Sequence, residues 1–136
     1  MASLQPYLIF PGTCEQALAL YADCLGGTVR IRQRFSDAPF PVAESDRHRI
    51  LHAEFSAGNI AFGASDGMPG DDIPVGRNVA LMVNFDDEPS LERAWRGLLD
   101  GGEAIMPLND GDGAPRFGMV IDRHGLQWML AGPEPA

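Results

Sequence analysis

Lysine is absent from the 136-residue chain, and its 19 acidic residues outnumber its 10 basic ones. The resulting net charge of −9 disfavours contact with a phosphate backbone, because proteins attract nucleic acids largely through clusters of positive charge. We therefore expect no nucleic-acid partner.

Long apolar runs are also missing. No 18-residue apolar stretch could span a bilayer, and the N-terminus lacks the charged start and apolar core of a secretory signal. These absences favour a cytoplasmic protein without a membrane partner. The apolar fraction of 45% is typical of a globular protein, and 136 residues can bury the core of a single domain.

Cysteine is scarce, and its two copies, Cys14 and Cys24, fall in one predicted helix. Ten residues of helix separate their Cα atoms by about 15 Å, beyond the roughly 7 Å that a disulfide can bridge. We expect two free thiols that act as small packing residues. A redox or nucleophilic role for Cys14, near the start of the helix, is the alternative.

Two stretches of the sequence have the form of a β-hairpin. In residues 117–130 (FGMVIDRHGLQWML), two apolar runs flank a polar break that ends at Gly125, where a turn needs positive φ. Residues 50–62 (ILHAEFSAGNIAF) repeat this form, with Gly58 at the turn.

An amphipathic helix ending in Gly-Gly precedes each hairpin, and a short apolar strand, residues 7–10 or 79–85, precedes each helix. Thr13 and Gln16 fit a capping box at the start of the first helix, and Pro89 marks the start of the second. The apolar faces have helical spacing. They comprise Cys14, Ala17, Leu18, Tyr21, Ala22 and Leu25 in the first helix, and Leu91, Ala94, Trp95, Leu98 and Leu99 in the second.

With further strands at residues 28–35 and 104–108 and a loop at 36–48, the chain reads as one βαβββ module written twice. Module one covers about residues 4–66, an acidic Gly- and Pro-rich linker about 67–77, and module two about 78–132. We predict an α+β fold in a single domain, residues 1–136, in which two curved mixed sheets carry their helices outside and leave a concave cleft.

Four segments that carry this repeat, YLIFPGTCEQALALYADCLGG, LHAEF…GNIAFGASD, LLDGGEAIMPL and FGMVIDRHGLQWML, resemble the PhnB-like branch of the vicinal oxygen chelate superfamily. That superfamily includes glyoxalase I, bleomycin-resistance proteins and extradiol dioxygenases. The resemblance implies a glyoxalase-like fold. It does not imply one activity, because lyases, dioxygenases, epimerases and drug-binding proteins share the scaffold.

The resemblance also implies four positions where metal-dependent members hold a divalent ion with His or carboxylate side chains. In this chain they fall near Pro6, Phe62, Asn78 and Met129, none of which offers the oxygen or imidazole donors that such ions need. We expect the usual metal site to be lost. Some relatives carry a methyltransferase label, but no Gly-rich cofactor loop follows the first strand here, and we expect no cofactor.

His52 and Glu54 are the candidate catalytic residues. Residues two apart in a strand share a face, so the imidazole and the carboxylate point the same way and could form an acid–base pair or part of a metal site. In the alternative interpretation, His52 is a buried histidine satisfied by a neighbouring carboxylate.

Aromatic strand residues supply the candidate ligand-binding surface, an apolar wall for a flat small molecule. The predicted ligand-binding residues are Tyr7, Phe62, Asn78, Phe117, Trp128 and Met129. Core or dimer packing is the alternative for the aromatic ones. The favoured function is metal-independent binding of a small molecule. The alternative is a lyase-, isomerase- or dioxygenase-like enzyme that uses His52 and Glu54, with or without a divalent metal.

We predict a homodimer, because two curved four-stranded sheets leave open edges that a second copy can cover. Sedimentation equilibrium at micromolar concentration should return twice the 14.7 kDa mass of the chain. A monomer under those conditions would contradict the prediction.

Overall fold

A computed structural model describes residues 1–135 of the chain. Its contacts separate two compact units, Met1–Ala22 with Gly26–Pro74 and Asp23–Leu25 with Val75–Ala136. The division after Pro74 falls inside the predicted linker. That the two modules make up a single domain stays a prediction.

The first unit contains a four-stranded mixed sheet and one helix. Its elements are β1 (Tyr7–Ile9), α1 (Cys14–Leu25, whose last turn is grouped with the second unit), β2 (Thr28–Arg34), β3 (Ile50–Ala57) and β4 (Ile60–Ser65). The strand order is β1-β4-β3-β2, with β1 parallel to β4 and the other pairs antiparallel.

The second unit repeats this arrangement. Its elements are β5 (Leu81–Asn84), α2 (Glu88–Leu99), β6 (Glu103–Met106), β7 (Phe117–Ile121) and β8 (Gln127–Ala131). The order β5-β8-β7-β6, with a parallel β5–β8 pair, matches that of the first sheet. The predicted α+β fold of two βαβββ modules is therefore confirmed.

Several element boundaries differ from the sequence prediction. β5 is shorter than the predicted strand at residues 79–85, and β2 stops at Arg34 because Phe35 begins a 3-10 turn, Phe35–Asp37. A second 3-10 turn, Glu44–Asp46, lies in the segment predicted as a loop.

Each sheet has one face covered by apolar side chains. In the first unit the ring of Tyr21 on α1 contacts Phe62 edge-on at 6.3 Å, and Phe62 stacks on Phe55 at 4.7 Å. In the second unit the fully buried side chains include Leu91, Leu98, Val120, Trp128 and Leu130. Burial of these side chains is the main stabilising contribution in either unit.

The start of α1 is not capped as the sequence predicts. The Thr13 side chain makes no capping hydrogen bond. The Cys14 backbone N–H instead donates to Asp66 Oδ1 at 2.8 Å, and the Ile50 N–H donates to Asp66 Oδ2 at 2.8 Å. One buried carboxylate thus satisfies a helix N-terminus and the first N–H of β3, so the predicted capping box is wrong.

The second helix follows its sequence signals. Asp87 accepts a hydrogen bond from the Ser90 N–H at 2.8 Å, and Pro89 stands in the first turn, where its missing N–H costs nothing. Each helix has 12 residues. Within residues 1–135, none is long and apolar enough to cross a membrane.

The two hairpins turn differently. Ala57 pairs with Ile60, so Gly58 and Asn59 alone make the first turn, whereas residues 122–126 separate β7 from β8. Asp122 organises this longer turn: its Oδ1 accepts from the His124 and Leu126 N–H groups. Positions counted from the turn glycine of one hairpin therefore do not transfer to the other.

Asp66→Asn should lower the free energy of unfolding by about 1–3 kcal/mol, because an amide NH₂ would face a backbone N–H and strand a buried donor. A denaturant melt compares it with Asp71→Asn, an exposed aspartate in the same unit that should be neutral. Equal stability of the two variants would contradict this role of Asp66.

Candidate functional site

The face of the first sheet that points away from Phe55 and Phe62 carries polar side chains. Tyr7 on β1 and Glu54 on β3 both register with Gly63 on β4, and directly opposed residues share a sheet face. Tyr7, Arg32, His52 and Glu54 are joined on this face by close contacts. We call these four residues the polar cluster.

Tyr7 and His52 form the closest pair of the cluster. The Tyr7 hydroxyl lies 2.8 Å from His52 Nδ1, and the two rings are parallel, 1° apart in plane with centroids 5.7 Å apart. Gly63 makes this possible, since a Cβ there would stand 2.6 Å from the Tyr7 ring carbons Cδ1 and Cε1. The tyrosine can cross β4 only because this residue has no side chain.

Glu54 links His52 to a charged partner. Its Oε1 lies 3.8 Å from His52 Nε2, and its Oε2 accepts a hydrogen bond from Arg32 Nη2 at 3.0 Å. Arg32 reaches this position through a bulge: Ile31 registers with Ala53 and Gln33 with His52, which leaves Arg32 as the extra residue. Bulges commonly re-aim a side chain in this way.

The charges of the cluster are set by these contacts. The hydrogen bond from Arg32 holds the pKa of the Glu54 carboxyl below its usual range, and the charge of Arg30 acts in the same direction. Burial raises the pKa of the Tyr7 phenol, because its hydroxyl lies against Ala64 O and His52 although the residue as a whole is 47% exposed. At neutral pH the cluster therefore presents an ionised carboxylate and a protonated phenol.

A small pocket of about 230 Å³ adjoins Glu54. It is lined by Gln5, Thr28, Arg30, Glu54, Phe55, Ser56 and Ala61. Its volume is below the roughly 300–1,000 Å³ usual for drug-sized ligands, so it suits a group of a few atoms. Most of the lining side chains can hydrogen-bond.

A second cavity, of about 310 Å³, opens at the start of α1 and includes Glu15, Arg49 and Asp66 in its lining. Its charges are largely matched: Glu15 pairs with Arg34 at 2.9 Å, and Arg49 pairs with Asp46 at 3.9 Å. Arg49 Nε is buried with no hydrogen-bond partner among residues 1–135. Because the lining itself contains two carboxylates and one arginine, the cavity offers no net positive charge to an anion.

The predicted site residues divide into two groups. The structure brings Tyr7, His52 and Glu54 together, with His52 half-exposed on the sheet face rather than buried as in the alternative interpretation. Phe62 is 2% exposed and packs under α1. It does not join the cluster.

The other predicted ligand-binding residues lie in the second unit. Trp128 is 1% exposed, and its Nε1 donates to Asp122 Oδ2 at 2.8 Å. Asn78 is exposed before β5, and Phe117 and Met129 are partly buried in β7 and β8. The ligand-binding role of all four stays a prediction.

The sequence did not predict that Arg32 joins the cluster or that the Tyr7 hydroxyl makes a hydrogen bond there. The only signal for Arg32 is the alternation of Arg30, Arg32 and Arg34 in β2, which does not reveal the bulge. Tyr7 was expected as an aromatic wall, and Gly63, which lets it approach His52, carries no sequence signature of its own.

The strands that carry the superfamily's metal ligands, β1, β4, β5 and β8, contain no His, Asp or Glu. In the first unit, register places Tyr7 and Ile9 of β1 beside Gly63 and Ser65 of β4, and Phe62 points to the opposite face. Within residues 1–135, no three His, Cys, Asp or Glu side chains lie close enough together to hold a metal ion.

The fold defines the class to which the protein belongs. A glyoxalase-related enzyme from Fulvimarina pelagi superimposes with a TM-score of 0.58 at 15% identity, over 97% of this chain and 88% of its own. A putative 3-demethylubiquinone-9 3-methyltransferase, the PhnB protein from Bacillus cereus, does so with a TM-score of 0.80 at 21% identity, over 96% and 99%. These superpositions show that the fold is glyoxalase-like.

A sequence profile of the 3-demethylubiquinone-9 3-methyltransferase family matches residues 2–131. Protein PA1353 from Pseudomonas aeruginosa is 34% identical over 98% of this chain and 100% of its own, with a TM-score of 0.83. Protein YjdN from Escherichia coli K12 is 26% identical over 93% and 92%. The chain belongs to the 3-demethylubiquinone-9 3-methyltransferase family. The predicted resemblance to the PhnB-like branch of the vicinal oxygen chelate superfamily is confirmed.

Neither thiol should react in the folded protein. Cys14 is 0% and Cys24 4% exposed. Burial is the main cause that raises the pKa of the Cys14 thiol to about 12 and that of the Cys24 thiol to about 11, so neither forms a thiolate at pH 8. A disulfide reagent such as DTNB should detect no thiol in native protein and two in guanidinium. Rapid native reaction that disappears in Cys14→Ala would instead support a nucleophilic Cys14.

Proposed function

We propose that the protein binds a small organic molecule through the polar cluster of its first sheet, without a metal ion at the superfamily's usual positions. The observation that carries the proposal is the unbroken series of contacts from Tyr7 through His52 and Glu54 to Arg32, on an exposed sheet face.

Stability alone does not account for the cluster. The Arg32 and Glu54 side chains are 46% and 43% exposed, and ion pairs this exposed typically contribute only about 0–1 kcal/mol. Yet the cluster uses a bulge in β2 and a glycine in β4, both of which interrupt regular strand packing. The bulge and the glycine weaken the sheet, and the contacts that they allow add little stability. This combination favours a binding role for the cluster.

The groups in the cluster indicate the chemistry of the ligand. A protonated phenol and an imidazole can donate or accept hydrogen bonds, Glu54 accepts, and Arg32 donates. Arg30, opposite Glu54, adds a second guanidinium at the small pocket. This set suits a small molecule with several oxygen atoms, for example hydroxyl and carbonyl or carboxylate groups.

Methyl transfer, which the family's name describes, needs a methyl-donor cofactor. Loops that hold nucleotide cofactors use several glycines ahead of a free helix N-terminus. Here Gly12 is the single glycine in the connection from β1 to α1, and the Cys14 N–H at the start of the helix already donates to Asp66. These residues do not fit such a cofactor, and methyl transfer is not part of the proposal.

Acid–base catalysis is the second candidate function. If the Tyr7 hydroxyl donates to His52 Nδ1, the ring proton lies on Nε2, which faces Glu54 Oε1 at 3.8 Å. A histidine held between a phenol and a carboxylate has the arrangement of a general base or acid. Such an enzyme would act on the same oxygenated class of molecule.

A thermal-shift screen of metabolites and divalent metals tests the proposal, because a ligand that binds only the native state raises the melting temperature. We expect shifts with one or a few oxygenated metabolites. Tight uptake of a divalent ion, about one or more per chain, would contradict the metal-independent part.

His52→Ala should weaken binding of a ligand from that screen about tenfold or more, while the free energy of unfolding changes by less than about 1 kcal/mol, because the side chain is 38% exposed. His48→Ala, an exposed histidine outside the cluster, is the matched control. A stability loss above about 2 kcal/mol with unchanged affinity would show a structural role for His52 and end the claim.

His52→Gln separates binding from catalysis. The amide keeps a hydrogen-bonding group but cannot exchange protons near neutral pH. Retained affinity with turnover reduced about 100-fold or more would establish the enzyme candidate. If the wild type does not turn over the bound molecule and His52→Gln binds it with the same affinity, binding is the function.

A further inference from the structure

Four of the six methionines of the chain lie in one row across the second sheet. Met82 of β5 registers with Met129 of β8, Met129 with Met119 of β7, and Met119 with Met106 of β6. Directly opposed residues share a face, so all four side chains start from the same side of the sheet. We call them the methionine row.

The row lies on the face opposite the apolar core of its unit. The strand neighbours Val83, Val120 and Leu130 are buried, and side chains alternate between faces along a strand. Met82 is 52% and Met106 45% exposed, and the two central methionines are partly exposed. Thioethers are therefore available to solvent along the row.

A bulge completes the row. Ala104 registers with Val120 but Met106 with Met119, so Ile105 is the extra residue in β6. Without that insertion Ile105, not Met106, would stand opposite Met119. The first sheet has its bulge at the corresponding place, where it brings Gln33 opposite His52. The position of His52 in one unit is thus occupied by Met119 in the other.

Packing chemistry alone does not favour this composition. β-branched and aromatic residues fit strands best, and methionine has no such preference. Methionine does supply a polarisable sulfur on a flexible side chain. Thioether sulfur selects soft ions such as Cu(I) and is a poor ligand for Mg²⁺ or Ca²⁺.

The spacing of the strands suits such an ion. Neighbouring strands lie about 4.8 Å apart. Met119 and Met129 are directly opposed, so their flexible side chains can bring two sulfurs to one ion, and Met82 or Met106 can supply a third. The net charge of −9 favours association with a cation over an anion for the chain as a whole.

We propose that the methionine row binds a soft monovalent metal ion of the Cu(I) and Ag(I) class, with Met119 and Met129 as the central ligands. This site lies in the second unit and does not depend on the function proposed for the polar cluster. It also differs from the superfamily's divalent site in its donors, which are thioethers alone.

Ag(I), which undergoes no redox change in the titration, tests the proposal directly. Protein labelled with ¹³C in the methionine methyl groups should give six signals, one for each methionine. On titration with Ag(I), the signals of Met119 and Met129 should shift first, with Met82 or Met106 following. Met1 and Met68, which lie outside the row, should not move.

The two buried thiols are the competing ligands, and the methionine signals separate the outcomes. If Cys14 and Cys24 take up the ion, the row signals stay in place and the proposal is overturned. Equal shifts of Met68 and the row would show non-specific contact and also overturn it. Repeating the titration in Cys14→Ala/Cys24→Ala, provided it melts cooperatively, should leave the row shifts unchanged.

Met129→Leu supplies the affinity test, since leucine keeps the volume and removes the sulfur. In competition with a Cu(I) chelator, Met129→Leu should bind Cu(I) at least tenfold more weakly than wild type, and Met68→Leu should match wild type. Should Met129→Leu fail to fold, Met119→Leu, at the other central and partly exposed position, provides the same comparison. Unchanged Cu(I) affinity in the row variants would overturn the proposal.

Discussion

The buried carboxylate of Asp66 is the contact on which the first unit depends. It follows β4 directly, and its two oxygens accept hydrogen bonds from the first N–H of α1 and the first N–H of β3. Its own N–H donates to Ile50 O at 2.8 Å. Asp66 thus fixes α1, β3 and the end of β4 to one another. Loss of its carboxylate would leave two buried backbone N–H groups without an acceptor, which is costly.

From that fixed frame, two local departures from regular sheet geometry create the polar cluster. The missing side chain at Gly63 lets Tyr7 cross β4 to His52, and the bulge in β2 turns Arg32 towards Glu54. Neither departure serves the core, which lies on the other face with Phe55 and Phe62. One face of the sheet therefore packs apolar side chains in the core, and the other carries the hydrogen-bonding side chains of the polar cluster.

The second unit uses the same backbone plan for different chemistry. Strand order, parallel edge pair and bulge position are repeated, yet the row that contains His52 in the first sheet contains Met119 in the second. The repeated backbone determines the positions of the side chains, but it does not determine which residue types occupy them. This is why family membership establishes the fold of this chain and leaves its ligand to be argued from particular residues.

The sequence by itself determined the repeat, both helices and both hairpins, because these depend on local periodicity and on glycines at positive φ such as Gly58 and Gly125. It also placed His52 and Glu54 on one face, since strand alternation is a property of the backbone. Only the tertiary structure decided that Asp66, 52 residues away, caps α1 in place of Thr13. The tertiary structure likewise decided that Phe62 is core, that Tyr7 and Arg32 complete the cluster, and that four methionines align. Each of these depends on register, bulges and turn lengths between strands distant in sequence, which local patterns do not encode.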